Sequence, residues 1–151
     1  MRWALAVIGL VAVALISCAN PAGPDDGSGN GGEPVTEHAW HPVLQGAVDE
    51  AAADGKLVLM LAGRDACGNC TYMIGTVCES DGVKPVLLEN YVTAYIDVDN
   101  STDWYPYAPS GGFTLPLIAI IDPESPDAAL STTTGVRYED DFLADIQAPL
   151  E

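Results

Sequence analysis

Positive charge is scarce in this chain. Its 151 residues include 22 acids but only five bases, Arg2, Lys56, Arg64, Lys84 and Arg137, for a formal charge of −17. The bases stand singly and far apart, so no basic face can form to neutralise phosphates, and nucleic acid is excluded as a partner. Long apolar runs are missing too: residues 3–16 fall short of the about 20 that a helix needs to span a bilayer. Histidine is limited to His38 and His41, and cysteine to four residues, of which only Cys67 and Cys70 form a close pair. A zinc site takes four ligands, typically as two close pairs, so no metal is expected, and both histidines read as surface or capping residues. Apolar character is plentiful at 48%, which excludes a mostly disordered chain. The length suits one folded unit.

The chain opens MRWALAVIGLVAVALISC. One base, a short apolar middle and small residues at the end describe a secretory signal peptide over residues 1–17. The closing Leu15-Ile16-Ser17-Cys18 resembles the bacterial lipobox, in which the cysteine takes lipid on its sulfur and becomes the first residue after cleavage. By that resemblance Cys18 is the lipidation site, and the protein is exported and anchored to a bacterial cell membrane without spanning it. Its domain then faces the periplasm or the extracellular side. The competing reading is an ordinary cleavable signal with Cys18 there by coincidence. Residues 19–36 are dense in Gly, Pro, Asp, Ser and Asn, the composition of a flexible tether with a reach of roughly 20–25 Å. Residues 18–36 therefore link the lipid to a folded domain over 37–151, expected to be a monomer.

Within that domain the apolar pattern alternates between two periods. Pro42 suits the first position of a helix, Trp40, Val43, Leu44, Ala47, Val48 and Ala51 recur at helical spacing, and Gly55 stops the run. Residues 56–62 (KLVLMLA) form a continuous apolar stretch, as for a strand covered on both faces. Cys70, Met73, Ile74, Val77 and Cys78 share one helical face, and Pro85 can start a short helix ending near Asn90. Residues 91–98 alternate as a strand with Val92, Ala94, Ile96 and Val98 on one side. The loop 99–114 carries Trp104, Tyr105, Tyr107 and Phe113, which either pack against the domain or wall a substrate site. Residues 115–121 (LPLIAII) read as a second buried strand, 130–137 as a Thr-rich edge strand, and 139–148 as a closing helix. Helices interleaved with a mixed sheet make an α/β domain.

Chemistry concentrates in Cys67-Gly68-Asn69-Cys70, between an apolar strand and a helix. The first sulfur falls at a helix N-terminus, where unpaired N–H groups and the helix dipole favour a thiolate. The second lies one turn along, close enough to close a disulfide with the first. Such a pair transfers a disulfide by attack of one sulfur and resolution by the other. A static bridge in an exported domain is the alternative, although so small a loop adds little stability. Cys78 lies eight residues past Cys70, about 12 Å along a helix, too far to bridge it, and reads as a buried thiol.

With these pieces in place, the chain resembles the thioredoxin superfamily, nearest to its bacterial envelope branch, which includes the C-terminal domain of the thiol:disulfide interchange protein. The matching parts are residues 47–61 running through Asp54-Gly55-Lys56 into a strand, the Cys-x-x-Cys with its helix and residues 91–97, and Thr114-Leu115-Pro116 opening a strand. The resemblance implies a thioredoxin-like fold, a central mixed β-sheet flanked by helices. It further implies that Pro116 is a cis-proline packed against the disulfide and that Leu115 offers its backbone to an extended substrate segment. Three positions depart from the family pattern: Ala66 replaces the Trp before the first cysteine, Leu61 replaces a buried Asp, and Gly-Asn lies between the cysteines.

Two functions fit. In the first, an envelope-anchored thiol–disulfide oxidoreductase acts on protein thiols or disulfides, with Cys67 and Cys70 as the catalytic pair. No cofactor is implied, because electrons pass through thiols. In the second, a non-catalytic thioredoxin-like module binds proteins and keeps a structural Cys67–Cys70 bridge.

Overall fold

The computed structural model describes residues 38–151. The expected signal peptide over residues 1–17, Cys18 and the whole tether through residue 36 lie outside the described residues. Among the described residues four strands form one mixed sheet in the order β2-β1-β3-β4: β1 (Leu57–Gly63), β2 (Tyr91–Asp97), β3 (Leu117–Ile121) and β4 (Ala129–Thr134). β1 runs parallel to β2 and antiparallel to β3, and β3 runs antiparallel to β4. The continuous apolar run of β1 has its cause here, since six of its seven residues are buried. A strand at the centre of a covered sheet has no solvent face on which to place polar side chains.

Side chains alternate across the sheet and so build two cores. On one face Val58, Met60, Ala62, Val92, Ala94 and Ile96 pack with Leu44, Ala47, Val48 and Ala51 of α1 (Leu44–Asp54). On the other, Leu59, Leu61, Ile118 and Ile120 pack with the segment after Cys67, with α3 (Lys84–Asn90) and with α4 (Glu139–Gln147). Phe142 and Ile146 of α4 are fully buried, and each such side chain stabilises the fold by roughly 1.5–3 kcal/mol. Gly55 ends α1 in the left-handed region at φ 66°, where a residue with a Cβ is strained.

Four boundaries differ from expectation. The first helix begins at Leu44 and not near Pro42, because His41 is taken up by the sheet: its N–H donates to Thr93 O and its carbonyl accepts from Tyr95 N–H, both at 2.9 Å. Val43 caps α1 without a side-chain bond. The helix after the cysteines is α2 (Gly68–Tyr72) followed by a π-helical turn, Met73–Val77, closed by Cys78 N–H donating to Met73 O at 2.9 Å. The wider turn carries Met73, Val77 and Cys78 all into the core. β3 starts at Leu117, not Leu115, since Pro116 has no N–H for the ladder. The edge strand ends at Thr134, where Gly135 turns the chain at φ 81°.

Three of the four loop aromatics pack, and Tyr105 stays exposed. Tyr107, within a 3-10 turn over Tyr105–Tyr107, is buried and its hydroxyl donates to Pro126 O at 2.6 Å. Trp104 and Phe113 stack edge-on and lie against the α1-side core, on the sheet face opposite the cysteines' core.

Candidate active site

Cys67 and Cys70 are joined in a disulfide with Cα atoms 5.2 Å apart. β1 delivers the chain to Gly63, and residues 64–66 turn it so that Cys67 N–H donates to Arg64 O at 3.0 Å. Cys67 then caps α2: its sulfur accepts from Cys70 N–H at 3.1 Å and its carbonyl from Thr71 N–H at 3.1 Å. A sulfur at this seat takes one of the backbone donors that a helix start leaves unpaired. One turn deeper, Cys70 is 1% exposed, whereas Cys67 is half-buried. The two sulfurs therefore differ in access: the first meets solvent and the second faces the core.

The rim comes from distant segments. The Leu115–Pro116 peptide is cis and Pro116 is buried. Gly135 N–H donates to both Thr114 O (2.9 Å) and Pro116 O (2.8 Å), fastening the strand entry to the turn after β4. Leu115, Ile74 and Val136 pack, half-buried, on the same core cluster as Cys67 and Cys70. Arg137 N–H donates to Met73 Sδ at 3.3 Å, and its guanidinium grips Asp145 through two bonds of 2.7 and 3.1 Å. The turn before α4 is thereby fixed against the π-turn below the disulfide.

Charge near the pair is mixed and exposed. Arg64 pairs with Asp99 at 3.1 Å, and Arg64, Asp65, Thr71, Ile74, Gly75 and Tyr95 line an open groove of about 400 Å³ along α2. A second hollow, of about 330 Å³ among Asp54, Lys56, Glu89, Asp122 and Glu124, lies at the Leu57 end of β1. The cysteines follow the Gly63 end, so that hollow takes no part in their chemistry.

Sequence reasoning missed two residues here. Gly63 lies so close to the second cysteine that a Cβ built on it would come within 2.8 Å of Cys70 Sγ and 3.0 Å of Tyr95 Oη. Tyr95 stands opposite Leu61 in the β1–β2 register. The alternation of residues 91–98 carried the signal for Tyr95, since it places that ring on the face away from Val92, Ala94 and Ile96.

The remaining thiol and the histidines have other roles. Cys78 is free and fully buried, and burial, then the charge of Glu79, push its thiol up to about 12. Such a thiol is inert to exchange at neutral pH. His38 is not a surface residue: its side chain is 2% exposed and its Nδ1 lies 2.8 Å from Glu79 Oε1. Lys84 Nζ holds the other Glu79 oxygen at 2.6 Å, and these partners, Lys84 first, keep that carboxyl below its usual range. His41 does not cap α1 but reaches Glu50 Oε2 at 2.8 Å. Among the described residues no three or more His, Cys, Asp or Glu gather as a metal site, and no helix is long and apolar enough to cross a membrane.

The family model described as Thioredoxin-like matches residues 39–123. Solved structures share the architecture. A thioredoxin from Thermus thermophilus is 22% identical with a TM-score of 0.59, covering 75% of this chain and 87% of its own. A disulphide isomerase from Xylella fastidiosa Temecula1 is 13% identical with a TM-score of 0.60, covering 72% of this chain and 88% of its own. The oxidised C-terminal domain of DsbD from Neisseria meningitidis is 19% identical with a TM-score of 0.57, covering 73% of this chain and 98% of its own. No curated protein matches the chain.

Proposed function

Since the chain belongs to the thioredoxin-like family, we propose that it is a thiol–disulfide oxidoreductase that exchanges disulfides with protein partners in the cell envelope. The observation that carries this reading is the unequal pair: a half-buried Cys67 whose sulfur caps a helix, bonded to a Cys70 that is 1% exposed. In the reduced protein Cys67 is the sulfur that a partner disulfide can reach, and the Cys70 N–H stabilises its thiolate. Attack gives a mixed disulfide between Cys67 and the partner. Cys70, shielded from other disulfides, attacks Cys67 Sγ and releases the partner as a thiolate. The reverse sequence oxidises a partner dithiol. Leu115, whose backbone precedes the buried Pro116, supplies an edge along which an extended partner segment lies while its sulfur approaches Cys67.

The anchored location rests on the first 18 residues, which read as a signal ending in a lipidated Cys18. Cys18→Ala is expected to abolish lipid labelling and move the protein from the membrane to the soluble fraction; unchanged labelling overturns the anchor and leaves the exchange chemistry untouched.

Cys67→Ser is expected to abolish turnover in a disulfide-reduction assay, and Cys70→Ser to accumulate mixed disulfides visible on non-reducing gels. Full activity of both variants overturns the assignment. The apolar Leu61 and the Ala66 before the first cysteine favour a second reading, a binding module with a static bridge. A glutathione titration separates the two, since a potential well below about −300 mV without exchange marks a structural disulfide.

A further inference from the structure

We propose that the Tyr95 hydroxyl is the hydrogen-bond donor that stabilises the resolving Cys70 sulfur while the Cys67–Cys70 bond is open. The proposal rests on the reading of this pair as the exchanging disulfide, and it assigns a task that the cysteines cannot perform alone. Cys70 is 1% exposed. To resolve a mixed disulfide its thiol must become a thiolate in a place where water does not solvate the charge, and burial alone raises a thiol's pKa. Some protein donor has to replace the missing hydration.

The strands limit what that donor can be. β1 passes beneath Cys70 with Leu61 and Gly63, neither of which has a polar side chain. From β2, Tyr95 faces Leu61 across the ladder. Its hydroxyl and the Cys70 sulfur both lie within 3.0 Å of one point, the place where a Cβ on Gly63 would stand. The glycine thus leaves open the one point over bare backbone that sulfur and hydroxyl both approach. Tyr95 also lines the groove along α2, which connects the site to solvent.

The charged surroundings keep this hydroxyl a donor. Burial, then the negative charges of Asp65, Asp97 and Asp99, push its pKa above the ordinary tyrosine value. Arg64, from the loop after β1, is engaged with Asp99 at 3.1 Å. From α2 the titratable groups nearby are Cys67 and Cys70. The phenol is therefore protonated at neutral pH and offers one O–H. In the resolving step the Cys70 thiol loses its proton to solvent and the resulting thiolate takes the Tyr95 hydrogen bond. The thiolate then attacks Cys67 Sγ. The Cys67–Cys70 bond forms, the Cys67–partner bond breaks, and the partner sulfur leaves with the electron pair and is protonated; the partner is reduced and the dithiol oxidised.

Tyr95→Phe removes one oxygen and keeps the ring. The reduced purified protein is mixed with an aromatic disulfide reagent that releases a coloured thiolate twice, first on attack by Cys67 and then on resolution by Cys70. The expected result is a first phase unchanged and a second phase about tenfold slower at pH 7, with its pH midpoint raised by about one pH unit. A second phase with wild-type rate and pH profile overturns the proposal. A wild-type protein with no first phase overturns instead the reading of Cys67 as the attacking thiol. As a check that needs no change at position 95, the Tyr95 ring signals in the NMR spectrum of Cys67→Ser should titrate together with Cys70. Ring signals indifferent to that titration also overturn the proposal.

Discussion

Gly63→Ala is the most direct probe of how tightly the second cysteine is held. The added methyl would meet Cys70 Sγ at 2.8 Å, Cys70 Cβ at 3.0 Å and Tyr95 Oη at 3.0 Å, all inside ordinary contact distance. Neither sulfur nor Cβ is the free end of a long side chain: in the oxidised protein Cys70 is tied to Cys67 and built into α2. Crowding of this kind in a closed core costs about 1–3 kcal/mol. Reduction frees the sulfur to rotate, so the reduced state escapes part of the penalty while the Cβ contact persists in both states. The oxidised form should therefore lose more stability than the reduced form. If the difference is about 1.4 kcal/mol, the potential rises by about 30 mV. Thermal melts of both redox states, with a glutathione titration of the pair, measure each quantity. A variant that melts like wild type in both states refutes the contact geometry. A potential that falls refutes the claim that the strain sits on the oxidised side.

Two further outcomes test the body of the domain. Phe142→Ala empties the fully buried seat through which α4 docks on the sheet and should cost about 3–5 kcal/mol in denaturant unfolding; a loss below 1 kcal/mol would show that α4 contributes little to the core. Stability should also decline on the alkaline side. Cys78 titrates at about 12 in the fold against 9.0 in the unfolded chain, so the unfolded state releases its proton first and stability, intact below pH 9, drops as pH rises toward 12. Tyr91, raised by burial to about 12 from 10.0, acts in the same direction. The Cys78 share amounts to roughly 4 kcal/mol at its limit, and Cys78→Ala should flatten the decline between pH 9 and 11; an unchanged slope would show that the thiol is not sealed off.

Much of this arrangement was legible in the chain because it is local. The β1 run, the Gly55 stop, the alternation of residues 91–97 and the Cys-x-x-Cys each express one element's own geometry, and the Leu115–Pro116 entry was legible through resemblance. What escaped depends on contacts between elements far apart in sequence. His41 looks like a poor helix cap until β2 arrives to take its backbone, and His38 looks exposed until Glu79 folds over it. The π-turn at Met73–Val77 has no propensity signature; it follows from the need to bury Met73, Val77 and Cys78 together. Tyr95 and Gly63 are unremarkable letters individually, and only the parallel register of β1 and β2 makes them neighbours of Cys70.

The short pairing of His41 with β2 bears on how the domain keeps company with other chains. A sheet margin with free amide and carbonyl groups is a template for recruiting a stranger's strand. On the β2 flank the Thr93 carbonyl and the Tyr95 amide are already engaged by the protein's own leading segment, so the middle of that margin is closed from within. Among the described residues the opposite margin, β4, pairs only with β3, and it presents the hydroxyls of Ser131 and Thr132 beside an exposed Leu130. Sheet-to-sheet association would accordingly enter from the threonine side, away from the partly closed flank.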